Sequence, residues 1–450
     1  MIIVFFIFIV SFIALLGFYL FVFSRLSFYD SKDSTPLQRT KPAHPPSPTQ
    51  EGSHARGTLE PSQQHITHTP NHRITELPNH APVSVIICAK NELENLKKFL
   101  PAILEQDYPE FEVLIVNDGS TDDTQQWLED FSKQDARLRV IENHSSEKNL
   151  LGKRSALKKG IEAARYELVL LTDADCKPAS NQWIKLMASL TPAPPPKERE
   201  VQSSLPSSDT SKNEIEIVLG FSPLFPENKH TYDAVGTPSP LERGGVRQFS
   251  NVFLNRFIRY ENFLTALYYL SFTLLKMPYM GVGRNLLYRT SVTRTIGALE
   301  HHSGLISGDD DLTVNRIATG RNTTLMIHPN AHVLTVSPES LRAFIHQKRR
   351  HYSTGFHYQS QHQLVLGTLY GSQILFNVTA IALLMNGFML LPTLSIFIIK
   401  NILQTLLYGK AMRKLNVHNL WIFTPVFDLC MSAFFLTLGG LSLFKTKTWK

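Results

Sequence analysis

Two carboxylates one residue apart end a short apolar run, LVLLTDAD, from Leu168 to Asp175 of this 450-residue chain. Side chains at positions i and i+2 of an extended chain point to the same side, so Asp173 and Asp175 can offer oxygen atoms together. Hard oxygen ligands suit Mg2+ or Mn2+, and Mg2+ often binds through one or two carboxylates plus the phosphates of a substrate. The pair predicts a metal-diphosphate site; a polar turn at a strand end is the alternative.

A second acidic group, SGDDDL from Ser307 to Leu312, is a candidate source of a general base. Repulsion between neighbouring carboxylates raises the pKa of one of them toward a useful value. An acidic helix N-terminus that favours the helix dipole is the alternative, and both readings can hold together. Neither a Walker A loop nor a GxGxxG pattern follows the first strand, which counts against ATPases and dinucleotide-binding enzymes.

The elements that position these groups alternate between buried strands and amphipathic helices. The strand patterns are VSVIICA, EVLIV, LRVIE and LVLLT, and helical spacing follows at residues 91–106, 124–131 and 152–164. This alternation predicts an α/β fold with a parallel sheet and right-handed crossovers. Because open α/β sheets bind ligands at the carboxyl ends of their strands, Asp118, Asp173 and Asp175 are expected to meet there.

Four blocks in this order, PVSVIICAKNE, VNDGSTDD, GKRSALKKGI and LLTDAD, resemble the family 2 glycosyltransferases, whose GT-A fold is Rossmann-like. The resemblance is strong from Pro82 to Trp183 and looser to about Tyr358. It implies that residues 89–92 and Asp118 contact the base and ribose of a UDP- or GDP-sugar, with Glu92 and Asp118 as the main donor-binding residues. A turn-forming Asp and an exposed residue of a first helical turn are the respective alternatives.

The same resemblance assigns the phosphate side of the donor site. Lys153 matches a basic position near the nucleotide, and a solvated Lys on a basic helix face is its alternative. Asp173 and Asp175 match the DXD motif, with Asp175 as the direct ligand of an Mg2+ or Mn2+ cofactor. Counting back from Leu312 places Asp309 on the family's catalytic Asp, and Asp310 is the reserve choice because the register can slip by one. Here Gly308 stands where the family usually has Glu.

Two further segments match acceptor-side and diphosphate-side motifs of the family. In MGVGRNLLYR, from Met280 to Arg289, glycines would let the backbone approach a sugar, and Arg284 and Asn285 would hydrogen-bond it. QKRRH stands in the place of the QxxRW motif of processive members, with Gln347 and Arg350 matched and His351 replacing Trp. Arg350 suits bidentate phosphate binding. A basic interfacial helix on anionic lipid is the alternative for this segment.

Apolar spans at both ends of the chain predict a membrane protein. Met1–Phe23 reads as a retained anchor; a cleaved signal peptide is the competing reading, against which the long apolar run without a basic n-region counts. Further spans at about 364–388, 391–407 and 420–444 follow the soluble part. Arg25, Lys32 and the basic residues between the last two spans place the catalytic domain in the cytoplasm. If all three C-terminal spans crossed the membrane, the basic tail would lie outside, against the positive-inside rule. One of these spans is therefore expected to be re-entrant or interfacial. The acidic residue Asp428 within the last span also argues against a simple crossing.

The expected domain organisation is an anchor at 1–23, a flexible linker at 24–81, a GT-A domain at 82–360 and C-terminal helices at 361–450. Surface insertions are expected at about 191–213 and 226–248. The apolar segment from Asn262 to Met277 is short for a span, and it is read either as a helix at the membrane surface or as domain core. Cys88, Cys176 and Cys430 predict no disulfide framework.

These observations predict a membrane-bound, metal-dependent, inverting glycosyltransferase with a nucleotide-sugar donor and a lipid-linked or glycan acceptor. The net charge of +7 comes from scattered Lys and Arg residues, which favours lipid and phosphate over nucleic acid as partners. A processive polysaccharide synthase is one alternative, against which the altered QxxRW motif counts. A catalytically silent scaffold subunit of an envelope glycan synthase complex is another, against which the retained DXD motif and acidic triplet count.

Overall fold

The computed structural model describes residues 1–30, 80–143, 153–191, 214–225, 252–296, 308, 310–338, 340–417 and 419–442. Its strands form one seven-stranded mixed sheet and one two-stranded sheet. The strands are β1 Val83–Ala89, β2 Phe111–Asn117, β3 Leu138–Glu142, β4 Leu168–Asp173, β5 Cys176–Pro178, β6 Ile217–Gly220, β7 Leu286–Arg289, β8 Thr323–Met326 and β9 Val333–Thr335.

Helices precede, interleave with and follow these strands. The α-helices are α1 Ile2–Gly17, α2 Ser24–Phe28, α3 Leu93–Leu104, α4 Thr124–Ser132, α5 Lys153–Ala163, α6 Trp183–Ala188, α7 Val252–Leu274, α8 Thr290–Ile296, α9 Asp311–Ile317, α10 Leu341–Thr354, α11 Ser360–Met385, α12 Leu390–Lys414 and α13 Thr424–Ser442. A π-helical segment, Phe18–Phe23, joins α1 to α2, and short 3-10 turns lie at Pro329–Ala331, Gly355–His357 and Trp421–Phe423.

The large sheet has the order β3-β2-β1-β4-β7-β6-β8. Strands β1 to β4 pair in parallel, as their alternation with helices predicts. Strand β7 runs antiparallel to both of its neighbours, β4 and β6, so the sheet is mixed. The α/β prediction is confirmed. The antiparallel strand β7 lies outside residues 83–173, whose alternating pattern predicts only the parallel strands.

Helix α7 begins ten residues before the apolar segment recognised in the sequence, and most of its side chains are buried. It belongs to the core of the α/β domain, because Tyr269 donates a hydrogen bond to the carbonyl of Gly220 in β6 at 2.7 Å and Asn262 donates to that of Ser222 at 3.1 Å. Its other side meets the membrane helices, where the Tyr268 ring stacks on Phe23 at 5.2 Å. The domain-core reading of this segment therefore fits the structure.

One apolar cluster extends from the sheet to the terminal helices. It includes Ile86 and Leu171 on the sheet, most of the buried face of α7, and buried residues of α1, α11, α12 and α13. A second cluster fills the opposite face of the sheet, around Trp183 and Ile115. The α/β domain and the terminal helices thus share a core on one side of the sheet.

Four described helices are long and apolar enough to cross a membrane: Ile2–Phe28, Ser360–Met385, Leu390–Lys414 and Trp421–Gly440. The first continues five residues beyond the predicted anchor. Its end meets the end of α12, because Ser27 donates to the carbonyl of Leu407 at 2.9 Å and the Lys410 ammonium lies 4.1 Å from the Phe28 ring centre. The predicted apolar helices at both ends of the chain are confirmed.

Several predictions fall on residues that the structure does not describe. Most of the linker, at 31–79, and nearly all of the two insertions, at 192–213 and 226–251, lie outside the described residues. The proposed catalytic residue Asp309 and the basic residues of the C-terminal tail, 443–450, also lie outside them.

Gly160 offers a test of the packing between α5 and the sheet. A Cβ atom there would lie 2.8 Å from the Cγ2 atom of Ile86 and 3.1 Å from that of Val116. Gly160→Val should lower the free energy of unfolding by about 1–3 kcal/mol, because overpacking a tight core forces its neighbours to shift. Thermal unfolding in detergent measures the loss. Glu162→Ala on the exposed side of the same helix is the control, and equal stability of the two variants would contradict this packing.

Candidate functional site

The site lies where β1, β2 and β4 end side by side. Cys88 near the end of β1 stands opposite Asp173 in β4, and Ala89 stands opposite Asn117 in β2. The next residue, Asp118, donates its backbone N–H to the carbonyl of Ala89 at 2.8 Å. Parallel pairing therefore brings the carboxylates of two distant sequence blocks to one edge, as the sequence predicts.

Asp173, Asp175 and Cys176 form a compact group at this edge. Ligand atoms from the three side chains all lie within 4.8 Å of one another. Lys153, at the start of α5, forms an ion pair with Asp173. The thiol of Cys176 donates to Asp175 at 3.4 Å. The structure thus assembles the predicted DXD carboxylates and the predicted basic residue in one place.

The two carboxylates differ in their pKa because their surroundings differ. Burial pushes the pKa of Asp173 upward, but the Lys153 ammonium and the Arg284 and Arg350 guanidinium groups outweigh it and hold the pKa below its ordinary value. Burial and repulsion from Asp173 raise the pKa of Asp175 to about 6. Asp175 therefore lies where added positive charge is most favourable.

The donor atoms at this edge fit a hard divalent cation held through Asp173 and Asp175. Mg2+ and Mn2+ prefer carboxylate oxygens, and two carboxylates leave further coordination positions for phosphate or water. Cys176 fits less well as a ligand, because burial and the two acidic neighbours raise the pKa of its thiol. A protonated thiol is a poor metal ligand, so the carboxylate pair is the candidate metal site.

The predicted nucleotide side of the site is built by the loops after β1 and β2. Asp118 is buried, and Asn143 donates to its carboxylate at 2.7 Å. Asn91 has a φ of 55° and ties the two loops together, because its side chain accepts from the N–H of Thr121 at 2.7 Å. Glu92 accepts a hydrogen bond from Asn95 at 2.7 Å, and its negative charge contributes to the raised pKa of Asp175. Glu92 and Asp118 are therefore both at the predicted edge.

Asp310 lies beside the same cleft. It lines a small pocket together with Lys153, Thr172 and Gly283. Its carboxylate accepts the N–H of Gly283 at 2.6 Å and that of Asp311 at 2.8 Å. A Cβ atom at Gly283 would stand 3.1 Å from that carboxylate, so a glycine allows this approach. The segment Met280–Arg289, whose glycines are expected to approach a sugar, therefore contacts the acidic triplet through Gly283.

Asp311 is the member of the triplet that sequence reasoning left without a role. It is 8% exposed, and Thr354 and Tyr358 both donate to its carboxylate, Tyr358 at 2.9 Å. These donors lie at the end of α10 and just beyond it. Asp311 therefore connects the acidic triplet to the end of α10, the helix with the QxxRW-like motif. Its position immediately before Leu312 in the sequence could have indicated that it has a role of its own.

Helix α10 carries the predicted Gln347 and Arg350 one turn apart, on the same face. The positive charge of Arg350 helps to lower the pKa of Asp173, so this residue acts on the DXD carboxylates. Gln347 is half-buried. Lys348 forms an ion pair with Glu261 of α7, which is 1% exposed, and this contact anchors the helix to the domain core.

Arg284 and Asn285 have different surroundings although they are adjacent. Arg284 is half-buried, and its positive charge favours the ionised form of both DXD carboxylates. It thereby helps to lower the pKa of Asp173 and limits the rise in the pKa of Asp175, so it acts on the cleft. Asn285 is 0% exposed. Its amide accepts from the indole N–H of Trp183 and donates to the carbonyls of Phe221 and Ala331, all at 2.9 Å. The structure places Asn285 in the core, where it joins three segments instead of facing an acceptor.

Comparison with known proteins agrees with this geometry. Residues 84–195 match the family described as Glycosyl transferase family 2. This segment of the chain is therefore similar to the family 2 glycosyltransferases.

Individual relatives match over a limited length. A poly-beta-1,6-N-acetyl-D-glucosamine synthase from Staphylococcus epidermidis is 37% identical over 94 residues, 21% of each chain. The glycosyltransferase AglE from Haloferax volcanii is 35% identical over 105 residues, 23% of this chain and 33% of AglE. These alignments span about a fifth to a third of the relatives' lengths.

Among solved structures, this chain is similar to the mannosyltransferase PcManGT from Pyrobaculum calidifontis in complex with GDP-Man and Mn2+. The TM-score is 0.45, with 16% identity, and the match covers 78% of this chain and 88% of that one.

A substitution at Asn285 separates a structural role from an acceptor-binding role. Asn285→Leu should lower the free energy of unfolding by about 1–3 kcal/mol for each buried polar group left unpaired. Denaturant or thermal unfolding measures the loss. Trp183→Phe, which removes one of the three partners and keeps a large ring, should cost less. Unchanged stability with a weakened affinity for acceptor would instead favour the acceptor role.

Proposed function

We propose that this chain is a membrane-bound, inverting glycosyltransferase that moves a sugar from a UDP- or GDP-sugar to a lipid-linked or glycan acceptor. The observation that carries the proposal is the pairing of Asp173 and Asp175 at one sheet edge beside Lys153, with the charges of Arg284 and Arg350 also acting on Asp173. Two carboxylates surrounded by three cationic side chains suit a metal-bound diphosphate, because the cations offset the negative charge of the phosphates.

The donor is proposed to lie along this edge, with its base and ribose toward Glu92 and Asp118 and its diphosphate toward the cations. Lys153 and the two arginines would hold the phosphate oxygens and orient the sugar. Arg350 is suited to this task, since a guanidinium group can bind phosphate through two parallel hydrogen bonds. A bound Mg2+ or Mn2+ would supply Lewis-acid stabilisation of the leaving diphosphate.

The acidic triplet is proposed to supply the general base. Both oxygens of Asp310 accept backbone N–H groups, which suits a residue that fixes the loop and caps α9. Asp311 is held by Thr354 and Tyr358. With these two residues engaged in structure, Asp309 remains our choice for the residue that takes the proton of the acceptor hydroxyl, and attack from the face opposite the diphosphate inverts the anomeric centre.

A processive polysaccharide synthase is the second candidate, favoured by the likeness to a poly-beta-1,6-N-acetyl-D-glucosamine synthase over 94 residues. His351 in place of the Trp of QxxRW argues against it. Product length separates the two: one added sugar per acceptor supports our proposal, and long chains from a single binding event support the synthase.

Paired substitutions in the triplet test the assignment of the base. Asp309→Asn should lower kcat by about 10²- to 10⁴-fold, the usual contribution of general acid-base catalysis, while the affinity for donor changes little. Release of UDP or GDP from a panel of nucleotide sugars in detergent measures the rate. Asp310→Asn is the matched comparison, and a larger loss of kcat in that variant, with stability unchanged, would move the base to Asp310.

Removal of the cation tests the metal site. Chelation by EDTA should abolish turnover, and added Mn2+ or Mg2+ should restore it, because Asp173 and Asp175 would otherwise face the diphosphate without a bridging charge. Calorimetry should show that Asp175→Asn weakens nucleotide binding in the presence of Mn2+ and leaves metal-free binding nearly unchanged. Full turnover in EDTA, or a metal requirement unaffected by Asp175→Asn, would contradict this site.

A further inference from the structure

Helix α13 has two faces with different surroundings. The buried face includes Phe427, Asp428 and Phe435, whereas Val426 and Leu436 on the other face are more than half exposed. Length and composition alone would allow this helix to cross a membrane. Which elements cover the buried face decides whether it does.

Helices α7 and α10 cover one part of the buried face, and α11 and α12 cover another part. At the start of the helix, the Arg256 guanidinium of α7 lies 5.0 Å from the ring centre of Phe423. One turn later, the Phe427 ring lies 5.2 Å from Tyr260 and 5.8 Å from Phe257, both of α7. Helix α13 therefore begins against α7.

The later turns lie against α10. The Phe434 ring stacks on Phe344 with 5.3 Å between ring centres, and the Phe435 ring lies 5.9 Å from Tyr352. Helix α10 carries Lys348 and Arg350 and holds part of the candidate donor site, so it belongs to the aqueous side.

These contacts leave too little helix to cross a bilayer. From residue 423 to residue 435 the axis rises about 18 Å, at 1.5 Å per residue. The hydrocarbon core is about 30 Å thick and needs about 20 residues of helix. Only seven residues of α13 follow Phe435 within its described range. Helix α13 and the turn before it therefore stay against α7 and α10 from residue 423 to residue 435.

A buried charge network fixes the position of α13 against α11 and α12. One oxygen of Asp428 accepts from Gln373 at 2.6 Å and from Gln404 at 2.7 Å, and the other accepts from Lys400 at 2.5 Å and from Asn377 at 3.0 Å. Asp428 and Lys400 are 1% and 0% exposed. An ion pair between helices is costly to separate in an apolar medium, so it holds α13 at one depth.

We propose that α13 does not cross the membrane, and that it lies between the catalytic domain and one leaflet, with its exposed apolar face on the lipid. The Asp428–Lys400 pair then joins a membrane-crossing helix to a surface helix. The end of α13 then stays on the side of α10, so the basic residues that follow it in the sequence would be on the same side of the membrane as Arg25 and Lys414, as the positive-inside rule prefers.

Single added cysteines in the full-length chain test the side of the C-terminus. Intact and inverted membrane vesicles are treated with a membrane-impermeant maleimide, and the parent chain with its three cysteines gives the background. Lys450→Cys should be labelled in the same vesicles as Lys133→Cys of the catalytic domain. Asn386→Cys, between α11 and α12, should be labelled in the opposite ones. Labelling of Lys450→Cys together with Asn386→Cys would overturn the proposal.

A cross-linking experiment in native membranes tests the docking independently. Phe344→Cys with Phe434→Cys should form a disulfide on mild oxidation, and Phe344→Cys with Leu436→Cys, on the exposed face, is the matched control. Adding Asp428→Asn should reduce the cross-linked fraction at least twofold by loosening the helix. Equal cross-linking of the two pairs, or none in the first pair of a chain that is present at normal levels, would contradict α13 lying along α10.

Discussion

Two acidic side chains close together in a half-buried cleft require nearby positive charge, and much of this structure serves to supply it. Lys153 comes from the start of α5, Arg284 from the segment before β7, and Arg350 from α10. These three residues come from separate parts of the sequence, with 131 positions between Lys153 and Arg284 and 66 between Arg284 and Arg350, yet each acts on Asp173. The cleft is therefore held by electrostatic balance as well as by the pairing of β1 with β2 and β4.

That balance depends on the position of α10, which is fixed by contacts of different chemistry. Lys348 pairs with the buried Glu261 of α7, while Thr354 at the helix end donates to Asp311. Aromatic stacking with Phe434 secures the beginning of the helix. An ion pair, a hydrogen bond and a ring contact all hold α10 in place. Through α10, the acidic triplet and α13 are therefore linked to Arg350 and its effect on Asp173.

The sequence predicts the nucleotide-binding half of the fold well, because each of its elements carries a local pattern. β1, β2 and β4 are continuous apolar runs, and the helices between them show regular apolar spacing, so strand ends and the residues on them follow directly. The two DXD carboxylates lie together in the structure, and Lys153 pairs with one of them. In this half, local periodicity and the rules of parallel pairing are sufficient.

The other half depends on contacts between distant segments that no local pattern records. Asn285 reads as a cleft residue from its motif, yet the structure uses its amide to join Trp183 to two backbone carbonyls. Asp311 reads as one of three equivalent acids until Thr354 and Tyr358 are placed beside it. The antiparallel direction of β7 and the contacts of α13 with α7 and α10 likewise follow from tertiary packing.

The apolar cluster shared by the sheet and the terminal helices has a consequence for biosynthesis. The face of α7 that meets α1, α2 and α12 carries Tyr268 and Phe263, whose rings pack on Phe23 and Tyr408. During translation α1 and α2 emerge before α7, and α12 emerges after it, so α7 can pack on the preceding helices before α12 exists. The packing of α7 is therefore completed only once α12 has been synthesised.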